Sequence, residues 1–132
     1  MTKTFEHNGF IITVTREPDE YGELDWLKQD YADCSPEEQA EYKAQDAARL
    51  EAYERGDWYL VRVGVEVQVK TATNWAVPPT VGRAYLHGIE SDSEESYFLQ
   101  TEAELLDEAL TDARHTYEAL SILFEQARSE LC

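Results

Sequence analysis

The stretch Trp58-Tyr59-Leu60-Val61-Arg62-Val63-Gly64-Val65-Glu66-Val67-Gln68-Val69-Lys70-Thr71 decides the fold of this chain. Tyr59, Val61, Val63, Val65, Val67 and Val69 fall on every second position, and Arg62, Glu66, Gln68 and Lys70 fill positions between them. Side chains of a strand alternate between its faces, so a period of two predicts a half-buried strand with one valine-lined face and one polar face. A loop follows through Asn74-Trp75-Ala76-Val77-Pro78-Pro79, whose apolar tip is either a contact site or a packed turn. Val81 to Ile89 reads as a partner strand, with Tyr85, His87 and Ile89 on one face and Ala84 and Leu86 on the other.

On the N-terminal side of the valine strand, Ser35-Pro36-Glu37-Glu38 marks a helix start. Serine caps the free backbone amides, proline takes the first turn and Glu38 completes the box. That helix runs to Arg55, where Gly56 can take the left-handed C-terminal position. Ala40, Ala44, Ala47, Ala48 and Leu50 form a stripe of small residues suited to close packing on a sheet, with Tyr42, Asp46, Arg49 and Tyr53 on the other side. Further upstream, Lys3–His7, Asn8-Gly9 and Phe10–Arg16 read as a β-hairpin, because Asn-Gly supplies the two positive-φ residues of a type I′ turn. This register sets Phe5 opposite Ile12 and His7 opposite Phe10. Between hairpin and helix, residues 17–34 carry seven acids interleaved with Tyr21, Trp26 and Tyr31. The spacing of Leu24, Leu27 and Tyr31 fits a short helix or an ordered loop.

After Gly88 there is neither glycine nor proline. Ser91-Asp92-Ser93-Glu94 and Thr101-Glu102-Ala103-Glu104 each offer a capping box, so a helix of about 94–131 starts once or restarts. Leu99, Ala103, Leu106, Leu110, Ala113, Tyr117, Leu120, Phe124, Ala127 and Leu131 step by four and three, a heptad seam along roughly 50 Å of helix. A domain of this size is only ~30 Å across, so an unbroken helix would overhang its sheet. Either the helix breaks near Thr101 or Thr111 and packs within the chain, or its C-terminal part, from Leu110 through Ala113, Tyr117, Leu120, Phe124 and Ala127 to Leu131, pairs with a second copy. The seam favours the homodimer.

Together these elements predict one α+β domain over residues 1–132: a four-stranded antiparallel sheet from the hairpin and the two later strands, with helices on one face. The expected core is Phe5, Ile12, Val14, Val61, Val63, Val65, Val67, Leu106, Leu110 and Tyr117. Strand order cannot be read from the pattern.

Charge narrows the function classes. Acids number 28 against 11 bases, a net charge of −17. Residues 1–57 carry −9, residues 58–89 carry +2 and residues 90–132 carry −10, so the acid lies in two blocks around a slightly basic centre. Such a field repels nucleic acid and membrane phosphates and attracts basic surfaces. No segment approaches the roughly 20 apolar residues of a membrane span, and the start lacks the apolar stretch of a secretory signal. Cys34 and Cys132 are too few and too scattered for a disulfide framework, and are expected as free thiols in a cytosol.

Arg55-Gly56-Asp57-Trp58, the valine strand and Leu86-His87-Gly88-Ile89-Glu90-Ser91-Asp92-Ser93-Glu94-Glu95-Ser96-Tyr97 resemble a family of small accessory proteins of bacteriophages and prophages, over roughly residues 37–110. In that family a similar Gly-Ile-Glu-Ser-Asp-Ser run precedes an acidic C-terminal helix. The present chain differs in His87, where an aromatic residue is usual, and in its longer helix. The resemblance implies a setting, the cytosol of an infected host, where such proteins often inhibit host enzymes or defences.

Catalytic signals are weak. His87, Glu90 and Asp92 could form a metal or acid–base cluster at a strand end, but carboxylates near a helix start are favoured in any case. No serine lies in a nucleophile elbow, no glycine-rich loop cradles phosphate, and Cys34 has no evident base. No catalytic residue, metal or cofactor is therefore expected. Carboxylates at helical spacing, as in Glu104, Asp107, Glu108 and Asp112, repeat at about 5–6 Å and can occupy a cationic nucleic-acid channel. Glu20, Glu23, Asp25 and Asp30 would add charge, and Tyr21, Trp26 and Tyr31 would add desolvated anchors. The leading expectation is thus a DNA-mimic inhibitor or adaptor, of anti-CRISPR or anti-restriction type, that binds a basic, nucleic-acid-handling host protein without touching nucleic acid or membrane itself. The alternatives are a phage assembly protein dimerising through the seam, and a small enzyme or ligand-binding protein with a site near His87.

Overall fold

Strands β1 (Thr2–His7), β2 (Phe10–Pro18), β3 (Leu60–Val69) and β4 (Thr80–Glu90) form one antiparallel sheet in the order β1-β2-β3-β4. Helix α1 (Pro36–Glu54) connects the two hairpins and α2 (Glu95–Leu131) follows the sheet. The computed structural model describes residues 1–70 and 78–131, so the loop tip read at Asn74–Val77 lies outside the described residues, as does Cys132. The α+β class and the four-stranded antiparallel sheet are those read from the sequence.

The first hairpin turns through Asn8 and Gly9, with φ of 48° and 84°, and pairs Phe5 with Ile12 and His7 with Phe10. Next, β2 sets Ile12 against Val67 and Val14 against Val65, which gives the two strands a common apolar face. Helix α2 lies on that face across β3 and β4. Phe98, Leu105, Ala109, Leu110 and Ala113 pack with Ile12, Val14, Val61, Val63, Val65, Val67 and Ile89 as the main core. Burying each of these larger side chains contributes about 1.5–3 kcal/mol. The helix approaches closest at Gly82, where a Cβ would run into the Ala109 carbonyl oxygen and Ala113.

Strand β4 departs from strict alternation. Val61 pairs with Ile89 but Val63 pairs with Leu86, so β4 carries an extra residue here, with Gly88 at φ 72°. A bulge shifts the alternation by one. Ile89 therefore joins Ala84 on the core face instead of sharing a face with Tyr85, as simple alternation had it.

A charged clamp ties β2 to α2 beside this core. The Arg16 guanidinium donates to both carboxylate oxygens of Glu95 at 2.8 and 2.9 Å and to Glu102 at 2.9 and 3.2 Å. It also lies 4.7 Å from the Phe98 ring centre. Glu102 is buried and takes a second cation, Lys3, at 3.4 Å. The hydrogen bond with Glu95 is the largest influence on Arg16, holding its pKa above the ordinary arginine value against the cost of burial, and the same bond holds Glu95 below the usual carboxylate value.

Several expectations about packing change. Phe5 and Tyr117 are exposed rather than core, and Leu106 is only half-buried. The edge strand β1 lies away from α2's contacts with β3 and β4, and Tyr117 lies beyond the last buried turn of the helix. Helix α2 neither breaks at Thr111 nor restarts at Thr101: it is continuous from Glu95 to Leu131, Thr101 is buried and the Thr111 hydroxyl donates to the Asp107 carbonyl one turn back. Ser91, expected as a cap, accepts the Tyr59 amide instead.

Helix α1 carries the expected cap, Ser35 Oγ accepting the Glu38 amide at 3.3 Å. It stays off the valine face. Leu50, Ala52 and Tyr53 pack with Leu24, Leu27, Trp58 and Leu60 in a separate small cluster. The alanine stripe Ala40, Ala44, Ala47 and Ala48 faces solvent, and the side bearing Asp46, Arg49 and Tyr53 faces the protein. Two aromatic and ionic anchors, Trp58 and Tyr31, override the small-residue pattern in orienting it.

Candidate protein-binding surface

Most cations of the chain are engaged in joints between its elements. Arg49 of α1 reaches the turn between β4 and α2, donating to Asp92 at 2.6 and 2.7 Å and to Glu90 at 3.2 Å. Its guanidinium lies 3.9 Å from the Trp58 ring centre, while the Trp58 indole N–H donates to the Arg49 carbonyl at 2.9 Å. The bond with Arg49 is the chief reason that Asp92 lies below the usual carboxylate value. Arg55 pairs with Asp57, and Gly56, at φ 82°, ends the helix. The Arg-Gly-Asp-Trp and Gly-Ile-Glu-Ser-Asp-Ser strings are therefore the two sides of one structural joint. Arg62 pairs with Glu17, Lys70 with Glu6 and Arg83 with Glu66.

Many exposed acids lie outside these pairs. Among the described residues, Glu20, Glu23, Asp25, Asp30, Glu104, Asp107, Glu108 and Asp112 have no cationic partner within 4 Å, and all eight are exposed. They are the carboxylates singled out from the sequence. On α2 they occupy the half of the helix carried by the sheet. Asp112 accepts the Arg83 backbone amide at 3.1 Å, and Glu104 accepts from Gln100 at 3.1 Å. Carboxylates held this way have little rotamer freedom left to lose on binding.

The acidic loop between β2 and α1 is tied down at several points. Asp19, its side chain only 2 % exposed, accepts the Gly88 amide at 2.9 Å and the Tyr21 amide at 3.3 Å. Gly22 lies tightly against Leu60, and the single 3-10 turn Asp25–Leu27 buries Leu27. At the far end Tyr31 takes φ 55° and donates to Asp46 at 2.5 Å, with its ring 5.2 Å from Tyr42. That bond, more than burial, raises the Tyr31 pKa. Tyr31 thus anchors the loop, whereas Tyr21 is 89 % exposed and Trp26, 6.3 Å from Trp58, is partly so. Tyr21 and Trp26 are the more exposed aromatic side chains of this loop. Trp26 also lines an open depression of about 380 Å³ with His87, Glu90, Ser93 and Tyr97.

The cluster proposed for chemistry is dismantled by the joint. Glu90 and Asp92 belong to Arg49, and His87 lies 3.6 Å from the buried Asp19 carboxylate instead. Among the described residues no group of three or more histidine, cysteine or carboxylate side chains is placed to hold a metal ion. Cys34 is a free thiol.

Sequence reasoning missed the clamp at Arg16 and the joint at Arg49, because both link residues more than 40 positions apart. The overhang expected of an unbroken α2 is present. Its last buried residue is Ala113, and beyond it Tyr117, Leu120, Leu123, Phe124 and Leu131 are all exposed. No helix of the described residues is long and apolar enough to cross a membrane.

Fold and surface together define an α+β chain with exposed, unpaired carboxylates on α2 and on the loop before α1. No family model matches the chain, and no curated protein or solved structure matches it either.

Proposed function

We propose that the chain is an acidic accessory protein of the phage type that binds, and thereby inhibits or modulates, a basic host protein that handles nucleic acid. The observation that carries this reading is the separation of acids. Ion pairs within the chain engage seven of its 11 lysines and arginines, and the sheet-backed half of α2 carries a row of four exposed carboxylates, Glu104, Asp107, Glu108 and Asp112, with no counter-ion. At about 5–6 Å spacing such a row presents a line of charge to a cationic channel, coarser than the ~3.4 Å spacing of phosphates along a DNA strand. The anchored loop adds Glu20, Glu23, Asp25 and Asp30, with Tyr21 and Trp26 as apolar contacts. In this reading the protein acts in the host cytosol, needs no cofactor and touches neither nucleic acid nor membrane.

The test is affinity capture from host lysate, followed by mass spectrometry, with the wild type and a Glu104→Gln/Asp107→Asn/Glu108→Gln/Asp112→Asn variant. The expected catch is a DNA- or RNA-binding protein that dissociates as salt rises and is lost with the variant. Retention unaffected by both salt and the amide substitutions would sink the proposal. A second reading, a phage assembly component that dimerises through α2, is favoured by the apolar residues exposed beyond Ala113.

A further inference from the structure

The acidity of the C-terminal block is confined to one half of it. Residues 90–112 contain nine acids and no base, whereas residues 113–132 contain three acids and two arginines. The nearly neutral half is the one that leaves the sheet, and its seam residues are uncovered: Tyr117 is 65 %, Phe124 69 % and Leu131 88 % exposed. The other half of the seam is not fully covered either. Leu99 and Ala103 are exposed and Leu106 is half-buried, whereas Leu110 and Ala113, the next seam residues, are buried in the chain's own core. One helix therefore carries two unfilled stretches of a single heptad seam, one acidic-flanked and one not.

We infer that a second copy of this chain covers both, by antiparallel pairing of α2 with α2 centred near residue 115. The 4–3 spacing sets Leu106 beside the partner's Phe124, Ala103 beside the partner's Ala127 and Leu99 beside the partner's Leu131, while Leu110 and Ala113 stay in the chain's own core. Each projecting half fills the half-open groove of the other copy. Charge selects this orientation. A parallel pair would lay two acidic halves side by side, each with six acids and no base over residues 95–112, whereas the antiparallel pair lays each against a segment of −1. With large side chains from both halves buried reciprocally, each copy loses roughly 700 Å² of surface, the size of a stable specific interface. The pairing goes beyond the proposed host interaction and does not depend on it.

Sedimentation equilibrium on the full chain at tens of micromolar should give twice the 15.2 kDa chain mass. Leu120→Glu/Phe124→Glu should return the mass to that of one chain while leaving thermal unfolding of the body in place, since both side chains are exposed in a single copy. In a background with Cys34→Ser and Cys132→Ser, mixing Ala103→Cys with Ala127→Cys should yield a disulfide-linked pair that neither variant yields alone. A monomeric wild type, a dimer that survives the double glutamate variant, or linkage of either cysteine variant to itself would each overturn the proposal.

Discussion

Replacing Arg16 with methionine keeps most of the apolar stem of the side chain and removes its charge. The consequence falls on Glu102, whose side chain is 6 % exposed and would be left with Lys3 at 3.4 Å, itself on a half-exposed stem. Breaking a buried pair by deleting one member typically costs about 3–5 kcal/mol, because the other charge stays desolvated. Glu95 is mostly exposed and adds little to that cost. With Lys3 giving partial compensation, a loss of about 3 kcal/mol is expected for Arg16→Met, a drop in unfolding midpoint of roughly 10 °C for a chain of this size. Urea unfolding followed by tryptophan fluorescence measures it. The diagnostic arm is Arg16→Met/Glu102→Leu, which removes both charges and should recover more than half of the loss. If the single variant costs under about 1 kcal/mol, as surface pairs do, or the double variant is no better than the single, the clamp is not a buried ion pair in solution.

Other positions give independent checks. Gly82→Ala places a methyl against the Ala109 carbonyl and should destabilise by about 1–3 kcal/mol in the same urea assay, and a neutral result would mean that α2 sits farther from β4. Arg49→Lys keeps the charge but loses the paired bonds to Asp92 and the stacking on Trp58; it should lower the unfolding midpoint and shift tryptophan emission, which an exposed Arg55→Lys should not do. Asp92 and Glu95 have folded pKa values below their unfolded ones, so their contribution is complete above the unfolded carboxylate value near 4 and disappears as pH falls through the folded values. Thermal unfolding followed from pH 7 to 2 should therefore show a fall below about pH 4 that is shallower in Arg49→Gln; an equally steep fall would remove Asp92 from the cause.

Local rules made much of this fold legible. The Asn8-Gly9 turn dictated its hairpin down to the pairing of residues, the valine period named β3, and Ser35-Pro36 marked the start of α1. What failed had non-local causes. The alanine stripe of α1 promised a packing face, but Arg49, Trp58 and the Tyr31–Asp46 bond turn the helix the other way. Ile89 changed sides because one inserted residue near Gly88 resets the alternation, which no periodic pattern announces. For the candidate surface, the unpaired acids could be named from the sequence, but their being unpaired could not. That depends on which of 28 carboxylates the arginines reach across the fold.

The continuous helix α2 has one further consequence. From Phe98 to Ala113 its backbone hydrogen bonds are sheltered by the sheet, while from Tyr117 onward they are wrapped by nothing but their own side chains. An isolated helical segment of some 15 residues is marginal in water, so in a single copy this end should fray and its amides should exchange with deuterium far faster than those of the sheltered half. Under the proposed pairing, helical content becomes a function of protein concentration: dilution melts the end of the helix and higher concentration restores it. The circular dichroism signal of the chain should accordingly report its own dose.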